Sequence, residues 1–140
     1  NTSGIMQIYT IDITTAVATP LGASFAHGST SSVFSLDFNP VADRIRLISR
    51  SGTSLRVNPA NGALVATDTA VAYATGGAAD VTAFAYSNNV PGGSGGLTTL
   101  YAWDYQDDSL ITIGGLNGTP SPNTGQAFNV FTPPGFRTLG

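Results

Sequence analysis

The chain has 140 residues, a formal net charge of −3 and a charged share of only 9%, with no cysteine, lysine or glutamate. Soluble domains usually carry about 25% charged residues; here there is no basic footprint for nucleic acid and no thiol for a disulfide, zinc ribbon or cysteine nucleophile. No apolar run approaches the roughly 20 residues of a membrane helix, and a chain opening on Asn1 in place of Met is expected to be secreted after its leader is removed.

In chain order, Ile8–Asp12 reads as a strand ending in an acid, and 17–21 as the strand that follows it through a short polar turn. Residues 22–32 are a Gly/Ser-rich punctuation. Val33–Pro40 alternates apolar and polar residues as a half-buried strand does. Four of the five arginines follow, Arg44, Arg46, Arg50 and Arg56; strand alternation is expected to lay them along one solvated face. Leu55–Asn58 and 63–67 are a second strand pair joined by Pro59-Ala60-Asn61-Gly62, whose Asn-Gly supplies the positive φ a tight turn needs. Gly76-Gly77 marks a bend before the opening strand Val81–Asn88. The loop from Val90 to Gly96 precedes the third pair, Leu100–Asp104 and Ser109–Ile113, with Gln106-Asp107-Asp108 in the turn. Residues 116–126 form a polar connector that reads as a tether, and 127–140 a C-terminal strand and tail within the same single domain, 1–140.

Asp12, Asn58 and Asp104 are each 46 residues apart. The expected fold is therefore all-β: three propeller-blade-like antiparallel repeats of about 46 residues, since repeats of 40 to 50 residues are the signature of propeller blades. The repeats are circularly phased. An opening strand stands at the C-terminus with no hairpin behind it, and a hairpin stands at the N-terminus with no opener before it. The C-terminal strand is expected to pair with the N-terminal hairpin of its own or of a neighbouring subunit, which makes Ile8, Tyr9, Ile11, Phe128, Val130 and Phe131 the candidate assembly interface.

Residues fit for chemistry are scarce. His27 is the sole histidine and stands in a Phe-Ala-His-Gly-Ser loop with no adjacent carboxylate, which argues against a general base. Asp104, Asp107 and Asp108 are the densest acidic group and the weak candidates for calcium, although turn formation is the plainer reading of an Asp-rich connection. Tyr101, Trp103 and Tyr105 alternate on one face and are expected to pack in the core, a sugar- or partner-binding platform being the alternative. Asn1-Thr2-Ser3 and Asn117-Gly118-Thr119 match the glycosylation acceptor pattern. No catalytic residue and no cofactor site is expected.

The stretch from Phe38 through Asn39-Pro40-Val41-Ala42-Asp43-Arg44 to Ser49, then Leu55 to Gly62, Ala66 to Tyr73, and the later Tyr-Ser-Asn-Asn and Leu-Tyr-Ala-Trp-Asp segments, resemble a bacterial secreted and surface family, domain of unknown function 4394. The resemblance implies an extracellular propeller-like β-repeat domain and transfers no catalytic residue. In the shared motif, Asn39-Pro40 suits an Asx-type strand end, and Asp43 can pair with a nearby arginine. The leading functional expectation is a structural protein, a secreted subunit of a filament or surface layer that partners itself by β-strand pairing between subunits. The alternative is a monomeric or dimeric extracellular module binding carbohydrate, peptide or calcium, and the third reading is a hydrolase.

Overall fold

The computed structural model describes residues 4–134. These form strands β1 (Ile5–Ile11), β2 (Ala18–Ala26), β3 (Phe34–Asn39), β4 (Arg44–Ser49), β5 (Ser54–Val57), β6 (Leu64–Asp68), β7 (Ala72–Tyr73), β8 (Val81–Tyr86), β9 (Leu100–Asp104), β10 (Ser109–Ile113) and β11 (Gln126–Phe131), with two short 3₁₀ turns before β11. The fold is all-β, with antiparallel pairing everywhere except the parallel contact of β11 with β7.

One local device recurs. Asp12 Oδ1 accepts from the amides of Thr14 and Thr15, Asn39 Oδ1 from Val41 and Ala42, Asn58 Oδ1 from Ala60, and Asp104 Oδ1 from Gln106. Four residues after each stands a left-handed residue, Ala16, Asp43, Gly62 and Asp108, with φ of 58°, 48°, 69° and 46°. An Asx side chain that satisfies the amides of its own turn stops one strand and starts the next. This turn joins β1 to β2, β3 to β4, β5 to β6 and β9 to β10. The Asx turn expected at Asn39 is therefore present, whereas the Asp43 main-chain oxygen, rather than its carboxylate, meets Arg44.

The strands group into three layers: the hairpin β1-β2, the meander β3-β4-β5-β6, and a five-stranded sheet ordered β7-β11-β10-β9-β8. Ile45, Leu47, Leu55 and Val57, on one face of the four-stranded sheet, are buried under Met6, Ile8 and Phe25 of the hairpin. The opposite face of that sheet meets the five-stranded sheet. There Ile48 joins Val81, Tyr86, Leu100, Ala102, Ile111 and Ile113 in a second core. The four-stranded sheet is thus the middle layer. Gly62 presses on the hairpin so closely that a Cβ at that position would collide with the carbonyl of Leu21, and one on Gly22 would collide with that of Asn61.

Four expectations are corrected. The spacing of 46 residues does not set the period of the layers, because it marks a recurring turn and not a recurring place in a sheet: Asn58 ends the third strand of its meander, whereas Asp104 ends β9, the second strand of the β8-to-β11 meander. The C-terminal strand does not pair with the N-terminal hairpin of its chain; it lies between β10 and β7. The connector is not a loose tether either. Its 3₁₀ turns at Leu116–Gly118 and Pro122–Thr124 reverse the chain, the Asn123 carbonyl accepts from Thr69, and the Gly125 carbonyl accepts from Ala72. Closing β11 onto its sequence neighbour β10 costs less loop entropy than carrying it to a distant hairpin.

The arginines are the fourth correction. Residues alternate sides along a strand, but the face bearing Arg46 and Arg56 is the one the five-stranded sheet covers, so Arg46 is only 1% exposed. Its guanidinium donates to Ser54 Oγ at 2.7 Å, Asp68 Oδ2 at 3.0 Å, Tyr86 Oη at 2.7 Å and Asn123 Oδ1 at 2.5 Å. Arg56 meets the same Asp68 carboxylate with Nε and Nη2, each 2.8 Å at its closest. A buried guanidinium is tolerable only when its donors are met by hydrogen bonds and a counter-charge.

Candidate functional site

Among the described residues, nothing covers the two outermost faces of the layered stack, and both are apolar. At the hairpin end, Ile5, Tyr9 and Ile11 point away from the middle sheet and are 43%, 53% and 65% exposed. The shared turn places Ile11 and Tyr9 at the positions of Val57 and Leu55, which are wholly buried. At the other end, the five-stranded sheet turns outward Tyr101, Trp103, Leu110, Phe128 and Phe131, which its register sets side by side. A groove of about 360 Å³ runs there between Phe128 and Val130 on one side and Leu116 and Pro120 on the other. Leu36 and Phe38 of β3 are also exposed, on the hairpin side of the middle sheet.

Of the expected interface residues, Tyr9, Ile11, Phe128, Val130 and Phe131 are exposed, whereas Ile8 turns inward onto the Ile45 and Leu55 core. The structure therefore divides them between opposite ends of the stack. Tyr101 and Trp103 are half-buried on the outer face, not in the core; their neighbours Leu100 and Ala102 fill it. Tyr105 lies past the strand end, its ring 5.1 Å from the Arg50 guanidinium.

His27 is buried, edge-on to Phe34 at 5.1 Å. Its Nδ1 accepts from the Ser29 amide, which leaves the proton of the neutral ring on Nε2. That Nε2 has no hydrogen-bond partner among the described residues. Asp104 is buried as a turn-former: Oδ1 accepts from the amides of Asp80, Gln106 and Asp107, and Oδ2 from the Tyr73 hydroxyl at 2.6 Å. Burial, reinforced by that hydrogen bond, pushes the Tyr73 phenol far up. Among the described residues no three acid or histidine side chains gather as a metal site. Asn1, Thr2 and Ser3 lie outside the described residues; Asn117 stands in the first 3₁₀ turn at φ 57°.

One polar cleft, of about 370 Å³, opens where the turns of two layers meet. Ser31, Ser51, Asp80 and Gln106 line it, and Arg50 grips Asp80 with two hydrogen bonds of 2.6 Å. That hydrogen bonding and the nearby charge hold the Arg50 guanidinium above its ordinary range.

Residues 3–132 match the family described as "Domain of unknown function (DUF4394)". The chain belongs to this family. Neither a curated protein nor a solved structure matches it. The DUF4394 description assigns no activity. Among the described residues no helix is long and apolar enough to cross a membrane.

In this DUF4394 domain, sequence reading missed Leu110 as an outward-facing residue, because Leu110 and Ile111 read alike as apolar. Only the pairing of Leu110 with Trp103, and of Ile111 with Ala102, tells which is outside.

Proposed function

We propose that the domain is a structural, non-catalytic unit of an extracellular assembly, whose copies join through the open faces and edges of its β layers. The observation that carries this reading is the pair of uncovered apolar end faces, because contiguous exposed apolar surface on a soluble domain marks an interaction site. Strand pairing between subunits is supported by β1, which among the described residues is bonded to a strand only along its β2 side. Propeller-like layering is supported by the contact of β3 with β8, the first strands of successive meanders, where Ser35 Oγ donates to the Thr82 carbonyl at 2.7 Å. A surface poor in charge and free of lysine and glutamate supports dense packing outside the cell.

Light scattering coupled to size exclusion, from dilute to concentrated protein, and electron microscopy of the concentrated sample test the reading. Growth in mass with concentration is expected. Uniform monomers throughout would overturn it. The second reading, a glycan-binding module, is favoured by the Arg50, Asp80 and Gln106 cleft, whose planar polar groups suit sugar hydroxyls beside the Tyr105 ring. Specific retention on a glycan array by a persistently monomeric protein would favour it over assembly.

A further inference from the structure

The layers of this domain are polar in the directional sense: each has a front and a back, and the internal junctions always join them the same way. The two meanders stack first strand on first strand and in the same direction, Ser35 of β3 meeting Thr82 of β8 and Asp37 meeting Tyr86. Their like faces are therefore matched by strand position and not by the Asp104 turn, which follows the second strand where the Asn58 turn follows the third. The front is the face that bears Leu55 and Val57 in the middle sheet, and Leu100, Ala102 and Ile111 in the five-stranded sheet. The front of the middle sheet is covered by the hairpin's back, with Met6, Ile8 and Phe25. The front of the five-stranded sheet is covered by the middle sheet's back, with Ile48 and Tyr86-bonded Arg46. Both internal junctions are back to front.

Applying the same sidedness to the ends assigns each a type. The hairpin lies on the β5-β6 turn, Gly22 against Asn61 and Gly62 against Leu21. Its Asp12 turn is matched with the Asn58 and Asn39 turns of that same sheet, in both of which the residues one and three before the Asx lie on the front. So matched, the outward face of the hairpin, with Tyr9 and Ile11, is a front. The outward face of the five-stranded sheet, with Tyr101, Trp103 and Phe128, is a back, since Leu100 and Ala102 on its other side are its front. Among the described residues one front and one back are thus left unused. Two copies therefore hold complementary ends.

We infer that a second copy of this chain covers the Tyr101, Trp103 and Phe128 face with its own Ile5, Tyr9 and Ile11 face, head to tail, continuing the internal layer order. This inference rests on the assembly reading above and adds to it the identity and direction of the contact. A head-to-tail contact uses two different patches, so it extends into a fibre or closes into a ring and does not stop at a dimer. The internal junctions supply the physical precedent: at each, a β layer buries aliphatic side chains against the next, and the hairpin's front has the same aliphatic and aromatic character as the middle sheet's.

Single-end variants test this. Ile11→Asp charges only the front end and Phe131→Asp only the back end; both side chains are more than half exposed, so the fold is retained, as circular dichroism and the melting temperature check. Tyr9→Asp and Phe128→Asp serve as second variants at the same ends. Wild type is expected to form large species, and each variant alone to be monomeric. A one-to-one mixture of Ile11→Asp and Phe131→Asp is expected to form a heterodimer of defined mass, because each retains the end that the other lacks. If wild type assembles but Ile11→Asp or Phe131→Asp alone still dimerises, or if the mixture stays as two monomers, the head-to-tail contact is wrong while assembly stands. If wild type itself is monomeric at every concentration, both fall.

Discussion

Replacing Asp68 by alanine probes what holds the middle and five-stranded layers together. Its carboxylate is 5% exposed and faces Arg46 and Arg56, whose side chains are 2% and 27% exposed. Without it, Arg56 can turn toward water, but Arg46 is left as a buried charge with only the neutral partners Ser54, Tyr86 and Asn123. Removing one member of a buried ion pair costs about 3–5 kcal/mol, a large fraction of the roughly 5–15 kcal/mol that stabilises a domain. With an unfolding entropy of about 2.1 cal/mol/K per residue, a chain of this length loses about 3 °C per kcal/mol, so the melting temperature should fall by about 10–17 °C. Urea unfolding gives the free energy, and a double-mutant cycle with Arg46→Met should show a coupling of about 1–3 kcal/mol. A loss below about 1 kcal/mol would refute the reasoning, since it would mean that Arg46 finds water in the folded protein.

Gly62→Ala should loosen the hairpin from the middle sheet, costing about 1–3 kcal/mol from the left-handed backbone alone and more from the collision with the Leu21 carbonyl. Hydrogen exchange of β1 and β2 reads this out, and unchanged protection there would count against the close approach. Ala16, the equivalent residue of the hairpin, already carries a Cβ at φ 58°, so the crowding and not the angle should decide the outcome. At Asp12 the amides of Thr14 and Thr15 hold the carboxyl below its ordinary 3.8. A depressed folded value means that this turn's contribution to stability is fully present above about that pH and is lost as pH falls through the lowered value. Nuclear magnetic resonance of the β1-β2 turn between neutral pH and pH 2 should show it open in acid, whereas Asp12→Asn, whose amide oxygen does what that of Asn58 does, should remove the pH dependence and keep the turn.

Some of this architecture is legible in the residues alone. Asp12, Asn39, Asn58 and Asp104 stop strands by bonding to amides a few residues away, a purely local act, so strand positions and the all-β class follow from the order of Asx, Gly and alternating apolar residues. The matching of Asp12 with Asn58 survives in three dimensions for the same reason. The destination of a strand is not local. Whether β11 joins β10 or the N-terminal hairpin depends on the 3₁₀ turns that Asn123 and Gly125 anchor to Thr69 and Ala72, and those anchors are far away in sequence.

The candidate assembly surface divides along the same line. Tyr9, Ile11, Phe128 and Phe131 could be named from the sequence as apolar strand residues at the two ends of the chain, but alternation gives two faces without saying which is covered. Arg46 shows the cost of that ambiguity: a charged residue in a strand reads as solvated, yet the layer stacked on it makes it one of the most buried side chains. Trp103 shows the converse, a large aromatic that composition assigns to the core and that tertiary packing leaves on an open face. By itself the sequence determined the turns, the strands and the stock of apolar side chains, because those depend on near neighbours. Only the tertiary structure decided the layer order and hence the two complementary ends, because which face of a sheet is buried is set by what packs against it from elsewhere in the chain.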